Sequence, residues 1–296
     1  MTECRYDRPL TLDAALGTLA ASGGEASIMA GGVALGILMN EKLAQPTHLL
    51  DISRVRELRG IESRPDGVRI GALGTHHAIE SSPVIRQRLP ALAELAAEIA
   101  CGRVKNRGTI GGNVCLADPQ ADMPVAALAL RARFQAASRR GMREIPAVEF
   151  FVGVVQTALE PDELLQSVFF PALPAHTGVA FGKFSARKAM DYSSTVTVGV
   201  RVTIDPKTEV VTGFGLGLGG MGVTPVWPKR TEALFAGARL DDPVFRAARE
   251  TLAAECDPID DDLYSAEYKT HVCSVMLKRT ATRALARAKG VPGGKP

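Results

Sequence analysis

Two adjacent glycines at the point where a β-prone segment gives way to a helix leave a backbone few options, and this chain uses that arrangement twice. In the first instance Ser27-Ile28-Met29-Ala30 runs into Gly31-Gly32, after which Val33 to Asn40 reads as a short helix. In the second, about eighty residues on, Thr109-Ile110-Gly111-Gly112-Asn113 turns again on glycine, with Arg107 just upstream. Glycine has no Cβ, so at such a turn several backbone N–H groups can converge on an anion at the start of a helix. Taken alone, either turn is more often a plain structural one. Together they fit a molecule that carries two phosphates.

Composition points to neither a polymer nor a membrane. The 296 residues, 46% of them hydrophobic, leave room for two domains with a core each. Lys plus Arg at 35 against Asp plus Glu at 32 gives a formal charge of +3, too little for a dedicated nucleic-acid surface. Apolar runs break well short of the roughly 20 residues that span a bilayer, so no membrane insertion is expected. The start, Met1-Thr2-Glu3-Cys4-Arg5-Tyr6-Asp7, lacks the apolar core of a signal peptide, and cytoplasmic placement is expected. The five cysteines include no Cys-x-x-Cys pair, which argues against disulfide or zinc scaffolding. Cys101 and Cys115 are expected to be buried as small apolar residues. His76 and His77 are adjacent, so their side chains diverge, and without a third ligand no metal is expected.

The periodicity places an amphipathic helix from Leu12 through Leu16 and Leu19, closed by Gly23-Gly24. Strands follow at His48–Ile52 and Val68–Ala72, and a helix at Pro90–Ala100 stopped by Gly102. Pro124–Leu130 reads as a helix opening on proline. Phe134–Ala136 and Leu165–Phe170 read as strands, and the Pro- and Gly-rich stretch 171–178 marks a domain boundary. Beyond it, Thr195–Ile204 and Glu209–Leu218 alternate around the turn Asp205-Pro206-Lys207-Thr208 as a hairpin. Three helices, at Lys229–Phe235, Pro243–Glu255 and Tyr264–Ala288, complete an α+β chain.

Gly215-Leu216-Gly217-Leu218-Gly219-Gly220 satisfies the dinucleotide pattern G-x-G-x-x-G, yet that fingerprint must open a helix and here Pro225 and Pro228 follow. It is expected to be a strand whose glycines permit close packing. Downstream of the second turn, Asp118 and Asp122 flank Pro119 ahead of a helix. They suit sugar or ribityl hydroxyls, and Asp122 equally suits a helix cap.

The block Arg107-Gly108-Thr109-Ile110-Gly111-Gly112-Asn113, with Ala30-Gly31-Gly32 before it and Ala117-Asp118-Pro119, Asp122 and Pro124 after it, resembles the FAD-binding subunit family of carbon monoxide dehydrogenase and xanthine dehydrogenase. The likeness extends to Ile70-Gly71-Ala72, Thr75-His76, Lys183-Phe184, Arg187, Asp191, Gly219 to Pro225, Tyr268 and Arg279, and covers about Tyr6 to Ala288. It implies a PCMH-type FAD-binding domain of two α/β subdomains over residues 1–175. A C-terminal flavoprotein domain with a three-stranded antiparallel sheet and helices would occupy 176–290. By the same carry-over, Ala30, Gly31, Gly32, Val33, Ala34 and Leu35, with Thr109, Ile110, Gly111, Gly112 and Asn113, form the FAD diphosphate site, and Thr75 is a further FAD-binding residue. Asp118 and Asp122 would hold sugar or ribityl hydroxyls, and Lys183 and Asp191 would approach the isoalloxazine. Where the family commonly has polar side chains after the first glycine pair, this chain has Val33 and Ala34, leaving only backbone donors there.

The resemblance further implies an electron-transfer subunit with no catalytic residue of its own. Its partners would be a molybdopterin-binding large subunit and a 2Fe-2S small subunit, since no cluster-binding cysteine set exists here, and the assembly would be a dimer of heterotrimers. The basic last helix, with Lys278, Arg279, Arg283, Arg287 and Lys289, is expected to help dock the iron-sulfur partner. Two other readings stay open: a self-sufficient FAD oxidase or reductase, for which Tyr192 and His176 form no catalytic constellation, and an assembly subunit that has lost FAD.

Overall fold

The computed structural model describes residues 4–185 and 194–291. The chain divides into two compact units. The first is built from Met1–Leu116, Arg133–Val152 and Gln156–Phe170, the second from Ala117–Ala132, Gly153–Val155 and Pro171–Pro296.

The chain opens with β1 (Arg5–Asp7), α1 (Leu12–Ala21), β2 (Ser27–Met29), α2 (Val33–Asn40) and β3 (His48–Asp51). β3 lies between β1 and β2, parallel to both. Thr11 caps α1, its side chain accepting from the Ala14 N–H at 3.2 Å. Ala15, Leu16 and Leu19, spaced along one helical face, pack with Leu50, Ile52, Val55 and Leu58 in one apolar cluster. α2 differs from α1: it is almost wholly apolar in sequence, yet none of its residues is buried.

The chain continues through β4 (Ile61–Arg64), β5 (Gly67–Gly71), α3 (His76–Ser81), α4 (Pro83–Arg88), α5 (Pro90–Ala97), α6 (Gly102–Arg107) and α7 (Ile110–Leu116). Next comes α8 (Asp122–Ala129), which clusters with the second unit, then β6 (Arg133–Ser138), β7 (Gly141–Pro146), α9 (Ala147–Phe150), the short pair β8 (Phe151–Gly153) and β9 (Gln156–Thr157), and β10 (Leu164–Pro171). A five-stranded sheet runs β4-β5-β10-β6-β7. Two expectations change here. The residues from Gly102 to the second glycine turn, for which no element was expected, form α6, and that turn itself opens α7; both helices run for only one to two turns, too short for periodicity to register. The helix expected to reach Ala100 ends at Ala97, so Cys101 starts α6 as its N-cap and is exposed rather than buried.

The second unit centres on an antiparallel sheet of β11 (Thr177–Phe184), β12 (Val196–Ile204) and β13 (Val211–Gly219). The hairpin falls where the alternation put it, and Asp205 Oδ1 holds the turn by accepting from the Lys207 and Thr208 N–H groups at 2.7 and 3.0 Å. Side chains alternate between faces. Val196, Val198, Val200, Val202 and Ile204, with Leu216 and Leu218, share a core with Leu277, Ala281 and Ala284 of α12 (Ala266–Ala288); α10 (Lys229–Ala233) and α11 (Asp242–Glu255) complete the helices. The opposite face is glycine-rich and receives α8: a Cβ on Gly215 would stand 2.2 Å from Ala129 O, and one on Gly217 2.4 Å from Val125 O. The G-x-G-x-x-G run is thus a strand packed against a helix.

Candidate functional site

Gly32 adopts the left-handed conformation, φ +71°, and serves as N-cap of α2. The first turn of a helix leaves its N–H groups without intrahelical partners. The intrahelical ladder begins with Gly36 N–H donating to Gly32 O at 3.0 Å, and no side chain caps this end, so among the described residues the N–H groups of Val33, Ala34 and Leu35 stay open. Residues 31–35 are all half-buried. This is a shallow, uncapped, electropositive helix start.

The structure brings the second glycine turn against the first. Gly31 abuts the end of α6 so closely that a Cβ on it would lie 1.8 Å from Arg107 O. The Arg107 guanidinium closes the junction, donating from Nε and Nη2 to Gly31 O at 3.2 and 3.1 Å. On its other side the same segment meets α3, where His76 N–H donates to Gly108 O at 3.0 Å.

The donors of the second turn are used within the unit. Ile110 N–H donates to Gly74 O at 2.8 Å, Gly111 N–H to Ala72 O at 2.9 Å and Asn113 N–H to Thr109 O at 2.9 Å. Gly112 N–H donates to Thr109 Oγ1 at 3.0 Å. Ile110 is fully buried, and a Cβ on Gly111 would stand 2.6 Å from Ala72 O, so these two positions fix packing. What the turn still offers is the Thr109 hydroxyl hydrogen, because the oxygen accepts from Gly112 while the O–H remains free to donate. Thr75 is built the same way: it bridges Thr109 across two short extended stretches, and its Oγ1 caps α3 by accepting from Ala78 N–H at 3.1 Å. Open N–H groups, two hydroxyls and a guanidinium form a donor set that suits an anion with several oxygens, which is the chemistry of a dinucleotide diphosphate.

The acids lie in the second unit. Asp118 Oδ1 accepts from Gln120 N–H at 2.8 Å in a tight turn. Asp122 is buried and does not cap α8, whose N-cap is Ala121. Its carboxylate lies against β11 and β12: Lys183 Nζ donates to Oδ2 at 2.7 Å, and Thr197 Oγ1 and Ser194 Oγ donate to Oδ1 at 3.1 and 3.4 Å. Lys183 and Thr197 are register partners, so one cross-strand pair supplies two donors on the α8 face. Burial pushes the Asp122 carboxyl above its usual range, against the pull of Lys183. Asp191, Arg187 and Tyr192 lie outside the described residues.

Among the described residues no cluster of His, Cys, Asp and Glu could hold a metal ion, and no helix is long and apolar enough to cross a membrane. Burial pushes the Cys115 and Cys256 thiols up to about 12, whereas the N–H groups of Val104 and Arg103 hold Cys101 below its ordinary value. Arg107 is the residue that sequence reasoning underused: its place before the second turn was visible, its contact with Gly31 was not.

A two-unit α+β protein with an uncapped glycine turn of this kind has the donor set that an anionic cofactor requires. Residues 2–173 match the family described as the FAD binding domain in molybdopterin dehydrogenase, and residues 180–284 match the CO dehydrogenase flavoprotein C-terminal domain. The carbon monoxide dehydrogenase medium chain of Hydrogenophaga pseudoflava is 34% identical over 282 residues, 95% of this chain and 97% of that one. The 6-hydroxypseudooxynicotine dehydrogenase complex subunit alpha of Paenarthrobacter nicotinovorans is 36% identical over 279 residues, 94% and 93% of the respective chains. A solved structure of carbon monoxide dehydrogenase from Hydrogenophaga pseudoflava, lacking the Mo-pyranopterin moiety of its molybdenum cofactor, aligns with a TM-score of 0.92 over 96% of this chain and 98% of that one, at 34% identity. The chain therefore belongs to the family of FAD-binding medium subunits of molybdenum-containing dehydrogenases.

Proposed function

We propose that this chain is the electron-transfer subunit of a molybdenum-containing hydroxylase, holding FAD and working with a molybdopterin-binding large subunit and a 2Fe-2S small subunit. The observation that carries the reading is the open first turn of α2, joined through Arg107 to the second glycine turn, in a chain that matches medium subunits along nearly its whole length. FAD, when bound, takes electrons one or two at a time and releases them to an external acceptor. The N–H groups of Val33, Ala34 and Leu35 would bind a phosphate, and the hydroxyls of Thr75 and Thr109 would orient further oxygens. Gly111 and Ile110 hold the second turn in place by their packing. Substrate chemistry belongs to the large subunit, which explains why relatives so alike are named for substrates as different as carbon monoxide and a nicotine derivative.

Domains spanning 1–175 and 176–290, a cytoplasmic location and assembly as a dimer of heterotrimers belong to the same proposal. The test is electron flow. The purified chain should carry flavin absorbance yet reduce no dye with any heterocycle, aldehyde or carbon monoxide, and gain that activity when co-expressed with its two partners. Substrate-dependent dye reduction by the lone chain would favour a self-sufficient oxidoreductase, and a colourless chain that still assembles would make it an assembly subunit.

A further inference from the structure

Among the described residues no carboxylate balances the charge of Arg107. Its residue is exposed, and among the described residues its guanidinium donates only to Gly31 O, with no carboxylate paired to it. Lys105, two residues before it, is by contrast paired with Glu80 at 2.8 Å. Arg107 Nη2 also lies 4.0 Å from the point where a Cβ on Gly32 would be, beside the uncapped start of α2. A full positive charge and the positive end of a helix therefore sit together, and like charges side by side are unfavourable unless an anion joins them. The guanidinium carries five N–H donors, and the bonds to Gly31 O use two. Val33 and Ala34 offer no polar side chain at this turn, so a charged donor has to come from another segment.

We infer that Arg107 is the residue that supplies positive charge to the FAD diphosphate at the first glycine turn while fixing the Gly31 carbonyl that shapes it. This rests on the reading of the chain as an FAD subunit. It makes Arg107 a binding residue for the phosphate and a positioning residue for the turn, with two separable signatures. Charge is kept by lysine and lost in glutamine, whereas lysine cannot reproduce the two-pronged hold on one carbonyl.

The experiment titrates the full apo-chain with FAD by flavin fluorescence at low and high salt, for the parent, Arg107→Lys and Arg107→Gln. Urea unfolding of each apo-protein runs alongside. The expected result is a loss of FAD affinity of about tenfold or more in Arg107→Gln, a smaller loss in Arg107→Lys, and a flatter salt dependence in Arg107→Gln alone. The apo-proteins should unfold together, since an exposed arginine bonded to one carbonyl adds little to stability. Unchanged affinity in Arg107→Gln overturns the inference and leaves the FAD reading intact. Equal losses in both variants with a lowered urea midpoint assign Arg107 to the fold and also overturn it. A parent that binds no FAD overturns both.

Discussion

Asp122 is a charge that the second unit keeps out of water, and its three donors explain how that is tolerated. Removing one partner of a buried ion pair leaves the other uncompensated, typically at a cost of about 3–5 kcal/mol. Asp122→Leu, which takes the acceptor from all three donors and leaves Lys183 without a counter-charge, should therefore lower the urea midpoint sharply, and adding Lys183→Met should recover much of the loss, a coupling that a double-mutant cycle measures. The pH dependence has a definite sign. A carboxyl whose folded pKa is raised lends stability that is fully present below the ordinary carboxylate value of about 3.9 and is lost as pH rises through the folded pKa. The stability gap between the parent and Asp122→Asn should accordingly shift towards the parent as pH falls from neutrality into the carboxylate range. At the other site, Val33→Thr places a hydroxyl at the start of α2. A hydrogen bond to a charged phosphate contributes about 1.5–3 kcal/mol, so the variant should bind FAD about ten- to a hundredfold more tightly in a fluorescence titration.

Secondary-structure geometry accounts for the basic face of the last helix. Arg283 and Arg287 are one turn apart on α12, a rise of about 6 Å, and they donate to Phe181 O and Val179 O, two residues apart on β11 and so about 6.8 Å along the strand. The helix thereby covers the free edge of β11, which would otherwise be open to pairing with another chain. Lys278 pairs with Asp242 and Lys289 with Glu209, so four of the five basic residues expected to dock a partner are engaged inside the unit. The glycine face of the sheet makes its own demand. Gly217→Ala would drive a methyl into Val125 O and lift α8, whereas a methyl on Gly213 meets only Thr203 at 3.3 Å. Thermal unfolding should show a loss of several degrees or more for Gly217→Ala and little change for Gly213→Ala. Some of these elements are written in local sequence and others are not, for physical reasons. The β12–β13 hairpin, α1 and α11 were legible because alternation, caps and helical spacing are local. β4, β7, α3, α4, α6 and α7 were not, being too short for a period to show and held by contacts such as the Thr75 and Ser82 caps. The same limit applies to the site: both glycine turns could be read from composition, but that one has open donors and the other satisfied ones depends on Gly74 O and Ala72 O, far upstream of the second turn.

The chain as a whole combines a first unit that presents an uncapped glycine turn with a second unit whose core is self-contained, and it matches medium subunits over nearly all of its length. Such a protein is built to hold a cofactor through which electrons pass, its own residues binding and orienting that cofactor. Gly32 is the place to test this, because it lines the open turn without supporting the core: a Cβ there meets nothing nearer than Met29 Sδ at 3.4 Å, although φ +71° disfavours any branched residue. Gly111 does not serve, since a side chain there collides with Ala72 and endangers the fold. The decisive measurement is a fluorescence titration of FAD into the apo-chain and into Gly32→Val, with circular dichroism to confirm that both are folded. The parent should bind about one FAD per chain and the folded Gly32→Val protein should lose nearly all affinity, because the loss of one open turn removes several N–H contacts together. A folded Gly32→Val protein that binds FAD as the parent does would contradict it.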